Sequence, residues 1–372
     1  MIDLSPFRAV RIDPAARRAF VTGGSLLGLV DHEAMSHGLV VPLGTVSHTG
    51  VGGLVTGGGF GRTQRRFGLS IDNLMSVDVV TADGELRHAS ASENQDLFWG
   101  VRGGGGNFGV VTSFEFQAHP MQRQVIAGSA IFPVSRAREI LRFAGDYGPE
   151  APDDLQVDWG IQYPPGGAEG IAYLDVVYCG PPERAERALA PVRALRPATD
   201  EIQPIDYIAL QRSGDVADPR ALASYIKGGF LQSMPDGLIS AIVEGIRPHP
   251  ARVTGIFFQQ AGGAISRVAA NATALSQRDA TGNMLALVGW PHNGSDPSEH
   301  IAWIRQYWAA LEPFTYGFYV NDLSDRTAAQ IQANYQQNFD RLVQVKNRYD
   351  PQNLFRLNAN VRPTVGAAMP RG

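Results

Sequence analysis

Seven glycines fall within the fifteen residues 48–62, HTGVGGLVTGGGFGR, and six more lie between Gly100 and Gly109. Glycine loses more backbone freedom on folding than any other residue. Two dense clusters beside strand-like runs therefore mean either turns with positive φ or a backbone that a ligand approaches closely. The polar residues among them are Thr45, Ser47, His48, Thr49 and Asn107. Bare N–H groups with a few hydroxyls and amides offer donors to an oxygen-rich ligand and leave room for a wide, flat ring.

Other chemistries fail on context. Gly104-Gly105-Gly106-Asn107-Phe108-Gly109 satisfies G-x-G-x-x-G, but the strand-like VVTSFEF follows it where a dinucleotide fingerprint needs a helix. No Gly-Lys dipeptide exists to make a phosphate-cradling P-loop, and there is no G-x-S-x-G nucleophile elbow. His32 and His37 of HEAMSH are five residues apart, about 140° round a helix, and would not face one metal. No metal is expected.

The elements that must carry these clusters read as α+β. Up to about residue 120, runs rich in Val, Thr and Phe (RAFVTGGSL, MSVDVVTADGEL, GVVTSFEFQAH) alternate with glycine clusters, and GLVDHEAMSHG reads as a short helix ended by Gly38. From 121 to about 320, β runs such as LQVDWGIQY, GIAYLDVVYC and MLALVGW are separated by helical stretches. In one of these, Ile301, Ile304, Trp308 and Leu311 recur at three and four and predict a helix packed on a sheet. After FYVNDL, one stripe of Tyr335, Phe339, Leu342 and Val345 predicts a helix stopped by Asp350-Pro351.

A 372-residue chain with 44% hydrophobic residues supplies a real core, and a net charge of −4 with scattered Lys and Arg gives no face for nucleic acid. No apolar run approaches a membrane span, and residues 1–20 hold no apolar signal-like segment, so a cytoplasmic protein is expected. Cys179, the single cysteine, reads as a buried core thiol.

Four ordered stretches resemble the FAD-linked oxidases of the vanillyl-alcohol-oxidase fold, with a PCMH-type FAD-binding domain, and within them the berberine-bridge-enzyme-like branch. They are PLGTVSHTGVGGLVTGGGFGRTQRRFGLSIDNLMSVDVVTADGE, DLFWGVRGGGGNFGVV, the YVN of residues 319–321 (similar to the family's active-site strand) and RLVQVKNRYDPQNLFRLNANVRP. The resemblance implies an FAD-binding domain over 1–120, a substrate domain over 121–330 whose antiparallel sheet is covered by helices, and a C-terminal segment, 331–372, returning to the first domain. It also implies FAD lying against Thr45, Thr49, Gly50, Gly52, Gly53, Gly57, Gly59, Gly109 and Val110. Asn321 and Asn358 are then close to the cofactor, or else turn and cap residues.

Three departures from the family pattern shape the expectation. The RGGGH-like loop that relatives carry upstream, with its flavin-linking His, has no counterpart here, which reads as truncation of the FAD-binding domain at its N-terminus. Val46 stands where many members have a flavin-linked cysteine, so any FAD is expected to be non-covalent. Ala286, Leu287 and Val288 occupy a strand where several members carry a polar group aimed at the substrate.

The implied function is FAD-dependent oxidation of an alcohol, sugar or secondary metabolite by hydride transfer to flavin N5, with dioxygen or another acceptor taking the electrons. Alternatively, the chain is an inactive member or binding protein that no longer holds FAD. Oxidation of an alcohol needs a base for the hydroxyl proton. Tyr319 is the candidate, or else a core tyrosine; Lys227 would be a source of positive charge to lower its pKa from about 10.

Overall fold

Period-two alternation in Leu74–Val80 (LMSVDVV) and Val110–Gln117 (VVTSFEFQ) turns one row of apolar side chains inward, with Phe114 and Phe116 fully buried. These strands lie inside a five-stranded antiparallel sheet of spatial order Val10–Asp13, Arg18–Thr22, Val110–Gln117, Leu74–Val80, Leu86–Ser90. The structure is a computed structural model and describes residues 2–167, 169–215, 222–292, 294, 296–322, 326–357 and 359–365.

The second sheet has eight strands. Its main path runs Gln124–Pro133, Ile171–Tyr178, Leu155–Tyr163, Val253–Gln260, Gly282–Pro291, Leu222–Leu231, with the short strands Thr199–Asp200 and Gln203–Asp206 against Gln124–Pro133. Val157, Trp159, Ile161, Ile256, Phe258, Met284, Ala286 and Val288 alternate onto one face, where helices Ala137–Glu150, Asp236–Gly245 and Ser298–Leu311 bury them in a single core. Trp159 and Phe258 stack there with centroids 5.3 Å apart, so these aromatic rings fill the core. The other face presents Asp158, Asp175, Asn283, Leu285 and Phe230.

The core of the first sheet does not stop at residue 120. It takes in Phe230, Ala261, Ile265, Leu275, Phe318, Tyr319, Tyr335, Leu342 and Val345, so chain from both later segments completes it.

Three local expectations change. The glycine stretch contains a helix, Val51–Gly57, whose Val51 and Val55 are buried. The helix after residue 327 is two, Ala328–Tyr335 and Phe339–Tyr349, because Gln336 takes φ +49 at the break and lets Asn338 Nδ2 donate to the Ala270 and Thr273 carbonyls. Tyr319 precedes a 3-10 turn, Val320–Asp322, and is not in a strand.

Among the described residues, no helix is long and apolar enough to cross a membrane, and no group of three or more His, Cys, Asp or Glu is placed to hold a metal. Cys179 is buried, and that burial pushes its thiol up to about 11, which keeps it unreactive at neutral pH.

Candidate active site

The two glycine clusters meet. Gly52 and Gly53 from the Val51–Gly57 helix, Gly104, Gly105 and Gly106 from the loop after Val101, and Gly109 and Val110 at the next strand line one cavity of about 700 Å³, with Gly23, Asn107, Asn321 and Arg356. A β-carbon built on Gly53, Gly105 or Gly106 meets no protein atom within 4 Å and so projects into open space. Gly109 is constrained differently, since its β-carbon would sit 2.5 Å from the Val80 carbonyl oxygen. The wall is therefore bare main chain on the ligand side, and a flat prosthetic group fits it without displacing side chains.

The C-terminal segment closes this wall through Asn107. Its Nδ2 donates to the Gly104 carbonyl at 2.7 Å and the Ala359 carbonyl at 2.9 Å, while its Oδ1 accepts from the Val361 N–H at 2.9 Å. Fully buried Lys346 braces the arrangement, donating from Nζ to the carbonyls of Asn107 and Phe355 at 2.8 and 2.6 Å and to Asp350 Oδ2 at 2.6 Å. Asp350 accepts in turn from the Leu354 and Phe355 N–H groups. Burial lowers the Lys346 pKa while Asp350 raises it, and the ammonium keeps three acceptors.

Tyr319 is 4% exposed and packs its ring 4.9 Å from Phe60. Its hydroxyl accepts from the Gly59 N–H at 2.9 Å and from Asn321 Nδ2 at 2.7 Å, and burial holds its pKa well above that of free tyrosine. That environment does not equip it to take a proton at neutral pH. Lys227 does not help, because it pairs with Ala286 across the strands and so lies on the helix-covered face of the sheet. Asn321 also donates to the Leu54 carbonyl, and it occupies the space a Gly57 side chain would need, 2.2 Å from that β-carbon. Gly59 is likewise filled from the protein side, its β-carbon position lying 2.0 Å from Ser70 Oγ. At both glycines the side-chain position is taken by protein, and neither lines the cavity.

Thr45, Thr49 and Gly50 stand outside the cavity lining, on the segment leading into the Val51–Gly57 helix. The Thr49 carbonyl accepts from Leu27 N–H and Gly50 bridges Leu26. Beside them Ser47 and His48 both reach Asp215. Asn358 lies outside the described residues.

Sequence reasoning missed one pair. Asp322, the residue after YVN, accepts a hydrogen bond from Asn283 Nδ2 at 2.7 Å on the Gly282–Pro291 strand. Asn283 lies on the face turned away from the helices, directly opposite Phe230. The Asp322 carboxyl is crowded by protein although part of its surface stays exposed, and burial pushes its pKa up to about 7 against the Asn283 hydrogen bond and the Arg326 charge. The strand that is apolar at residues 286–288 thus carries a polar side chain three residues earlier, at Asn283. Only the strand register exposes it, and the sequence does not print register.

Comparison with known proteins gives the same reading from outside the structure. Residues 1–90 match the FAD binding domain family and residues 319–362 the berberine and berberine-like family. The chain is 30% identical to the FAD-linked oxidoreductase YgaK of Bacillus subtilis, over 98% of its own length and 81% of that protein's. It is 29% identical to the (R)-6-hydroxynicotine oxidase of Paenarthrobacter nicotinovorans, over 98% and 81%. The crystal structure of 6-hydroxy-D-nicotine oxidase from Arthrobacter nicotinovorans superposes with a TM-score of 0.85 at 27% identity, covering 96% of this chain and 81% of that one. Xylooligosaccharide oxidase from Myceliophthora thermophila, solved with xylobiose, superposes at 0.83 and 26% identity, over 97% and 81%.

Proposed function

We propose, from the premise that this chain belongs to the berberine-bridge-enzyme-like family of FAD-linked oxidoreductases, that its glycine-lined cavity holds FAD without a covalent thiol bond and that it oxidises a small hydroxylated molecule. FAD-dependent oxidation is the family's chemistry and the chain is an enzyme of that kind. The alternative of a chain that no longer holds flavin finds no support in the cavity or in the relatives.

The observation that carries the reading is the cavity wall. Main chain at Gly53, Gly105 and Gly106 is open on the ligand side, and the Asn107 side chain fixes the loop from behind. Residues 52, 53, 105, 106, 109 and 110 would hold the cofactor by backbone contact, with Asn321 and Arg356 at the same wall. When bound, FAD supplies the acceptor for a hydride. The protein's part is to bind the cofactor, exclude water and manage the substrate proton.

Relatives named as nicotine and oligosaccharide oxidases support small ring-bearing substrates, with dioxygen or another small acceptor taking the electrons. Val46 at the position of the family's linking cysteine supports attachment without that bond. Titrating FAD into the apoprotein tests the reading. Saturable quenching of flavin fluorescence is expected, with all flavin released into the supernatant after acid precipitation. Absence of binding refutes the assignment; flavin retained in the pellet refutes the non-covalent part.

A further inference from the structure

We infer that Asp322 is the group that accepts the substrate's hydroxyl proton, held in place for that purpose by Asn283. The inference rests on the FAD-dependent oxidation proposed above and adds the base that oxidation requires.

Asp322 closes the 3-10 turn Val320–Asp322, whose first two residues line the glycine cavity. Its Oδ2 is anchored by Asn283 Nδ2, and its backbone N–H donates to the Tyr319 carbonyl at 3.0 Å, so the turn is closed and one carboxylate oxygen is held. No residue among those described donates to Oδ1. A base needs this arrangement, with one oxygen held and the other available to an incoming hydroxyl. The Asp322 β-carbon packs beside Gly228 on the neighbouring strand, 3.6 Å from where a Gly228 side chain would begin. Tyr319, the other candidate, already accepts two hydrogen bonds at its hydroxyl.

The charged and titratable groups around Asp322 set its proton affinity. Arg326 follows it in sequence, donates to the Gly228 carbonyl and lies 3.8 Å from Glu312, and its charge favours the carboxylate. Tyr319 on the same turn is neutral at working pH. Lys227, on the adjoining strand, belongs to the opposite face. Burial outweighs these and leaves the carboxyl titrating near neutrality, where a general base works best.

In the step itself the substrate O–H bond breaks and its proton passes to Asp322 Oδ1. The carbinol C–H leaves as hydride to oxidised FAD, and the C–O bond becomes a carbonyl. The substrate loses two electrons and two hydrogens, one as a proton to the carboxylate and one as hydride to the acceptor, so the negative charge passes from Asp322 to the acceptor and the step balances; the carboxylic acid later returns its proton to water.

The test uses the FAD-loaded protein and its Asp322→Asn and Asp322→Glu variants. Carboxyl titration followed by 13C NMR on aspartate-labelled protein is expected to show a small set of resonances with midpoints near pH 7, since burial pushes Asp31 and Asp158 there as well as Asp322, and one member of that set disappears in Asp322→Asn. An Asp322 resonance titrating below about pH 5 overturns the inference regardless of turnover. Anaerobic flavin reduction at pH 8 is then measured with whichever of xylobiose or xylose, each with an anomeric hydroxyl on a carbon that bears hydrogen, reduces the wild type faster. Asp322→Asn is expected to keep FAD affinity while slowing reduction at least ~100-fold and abolishing the rise in rate through pH 7. Asp322→Glu should recover part of the rate. Reduction of Asp322→Asn at the wild-type rate with FAD bound overturns the base assignment alone, whereas failure of the wild type to bind FAD overturns the function beneath it.

Discussion

Two glycines of one helix should respond oppositely to substitution, and the difference measures where the cofactor lies. In Val51–Gly57, a β-carbon on Gly53 meets nothing in the protein within 4 Å, whereas one on Gly57 lies 2.2 Å from Asn321 Oδ1. Gly53→Val therefore costs the fold nothing sterically and gains a few tenths of a kcal/mol from the better helix propensity of valine. With FAD present, its isopropyl group stands where the ligand approaches. Overpacking of about 1–3 kcal/mol corresponds to a roughly 5- to 150-fold rise in Kd. Gly57→Ala must instead displace Asn321 from its bonds to the Leu54 carbonyl and the Tyr319 hydroxyl, at about 1–3 kcal/mol of fold stability. Thermal unfolding of the apoproteins and fluorescence titration with FAD give both quantities. Gly53→Val should melt at or slightly above the wild type and bind FAD weakly, while Gly57→Ala should melt several degrees lower. FAD affinity within threefold of wild type in Gly53→Val would show that the ring lies elsewhere. Equal stability of the two apoproteins would show that Asn321 does not fill the Gly57 position.

Lys346→Met removes one partner of a buried pair and leaves the Asn107 and Phe355 carbonyls short of a donor, so urea denaturation should register a loss of about 3–5 kcal/mol, accompanied by weaker FAD binding. Tyr319→Phe leaves the buried Gly59 N–H without its acceptor and should cost about 1–3 kcal/mol, while slowing flavin reduction less than ~10-fold; a ~100-fold loss would return the role of base to Tyr319. Buried Asp31, whose Oδ1 has no hydrogen-bond partner among the described residues, is pushed by burial up to about 7. The folded state thus binds its proton more tightly than the unfolded chain, and its contribution to stability is lost as pH rises from about 4 through 7. Asp31→Asn should accordingly raise stability by roughly 1–3 kcal/mol at pH 8 and have little effect at pH 4, read by urea midpoints at the two pH values.

What the sequence made legible was local. The glycine clusters, the strand after Gly109 and the C-terminal stretch ending in NANV are continuous segments whose composition carries the signal, and they converge on one cavity. Within the clusters, the sequence did not separate glycines open to a ligand, such as Gly53, from those crowded by protein, such as Gly57 and Gly59. That distinction depends on where the chain folds back, bringing Asn321 from 264 positions later against Gly57 and Ser70 from 11 positions later against Gly59. The Asp322–Asn283 pair was hidden for the same kind of reason, since a one-residue change of register would turn Asn283 to the opposite face. The break at Gln336 escaped because the apolar stripe continues across it. Hydrophobic spacing records which side chains are buried and not whether one rod carries them all.

Lys346 grips the carbonyl of a residue 239 positions earlier. During synthesis the glycine loop leaves the ribosome long before the lysine that steadies it, and the nascent chain carries an unbraced half-pocket until the Phe339–Tyr349 helix emerges. Flavin capture is therefore a late event, and yellow colour in a fresh preparation reports that translation and docking of that helix were both achieved.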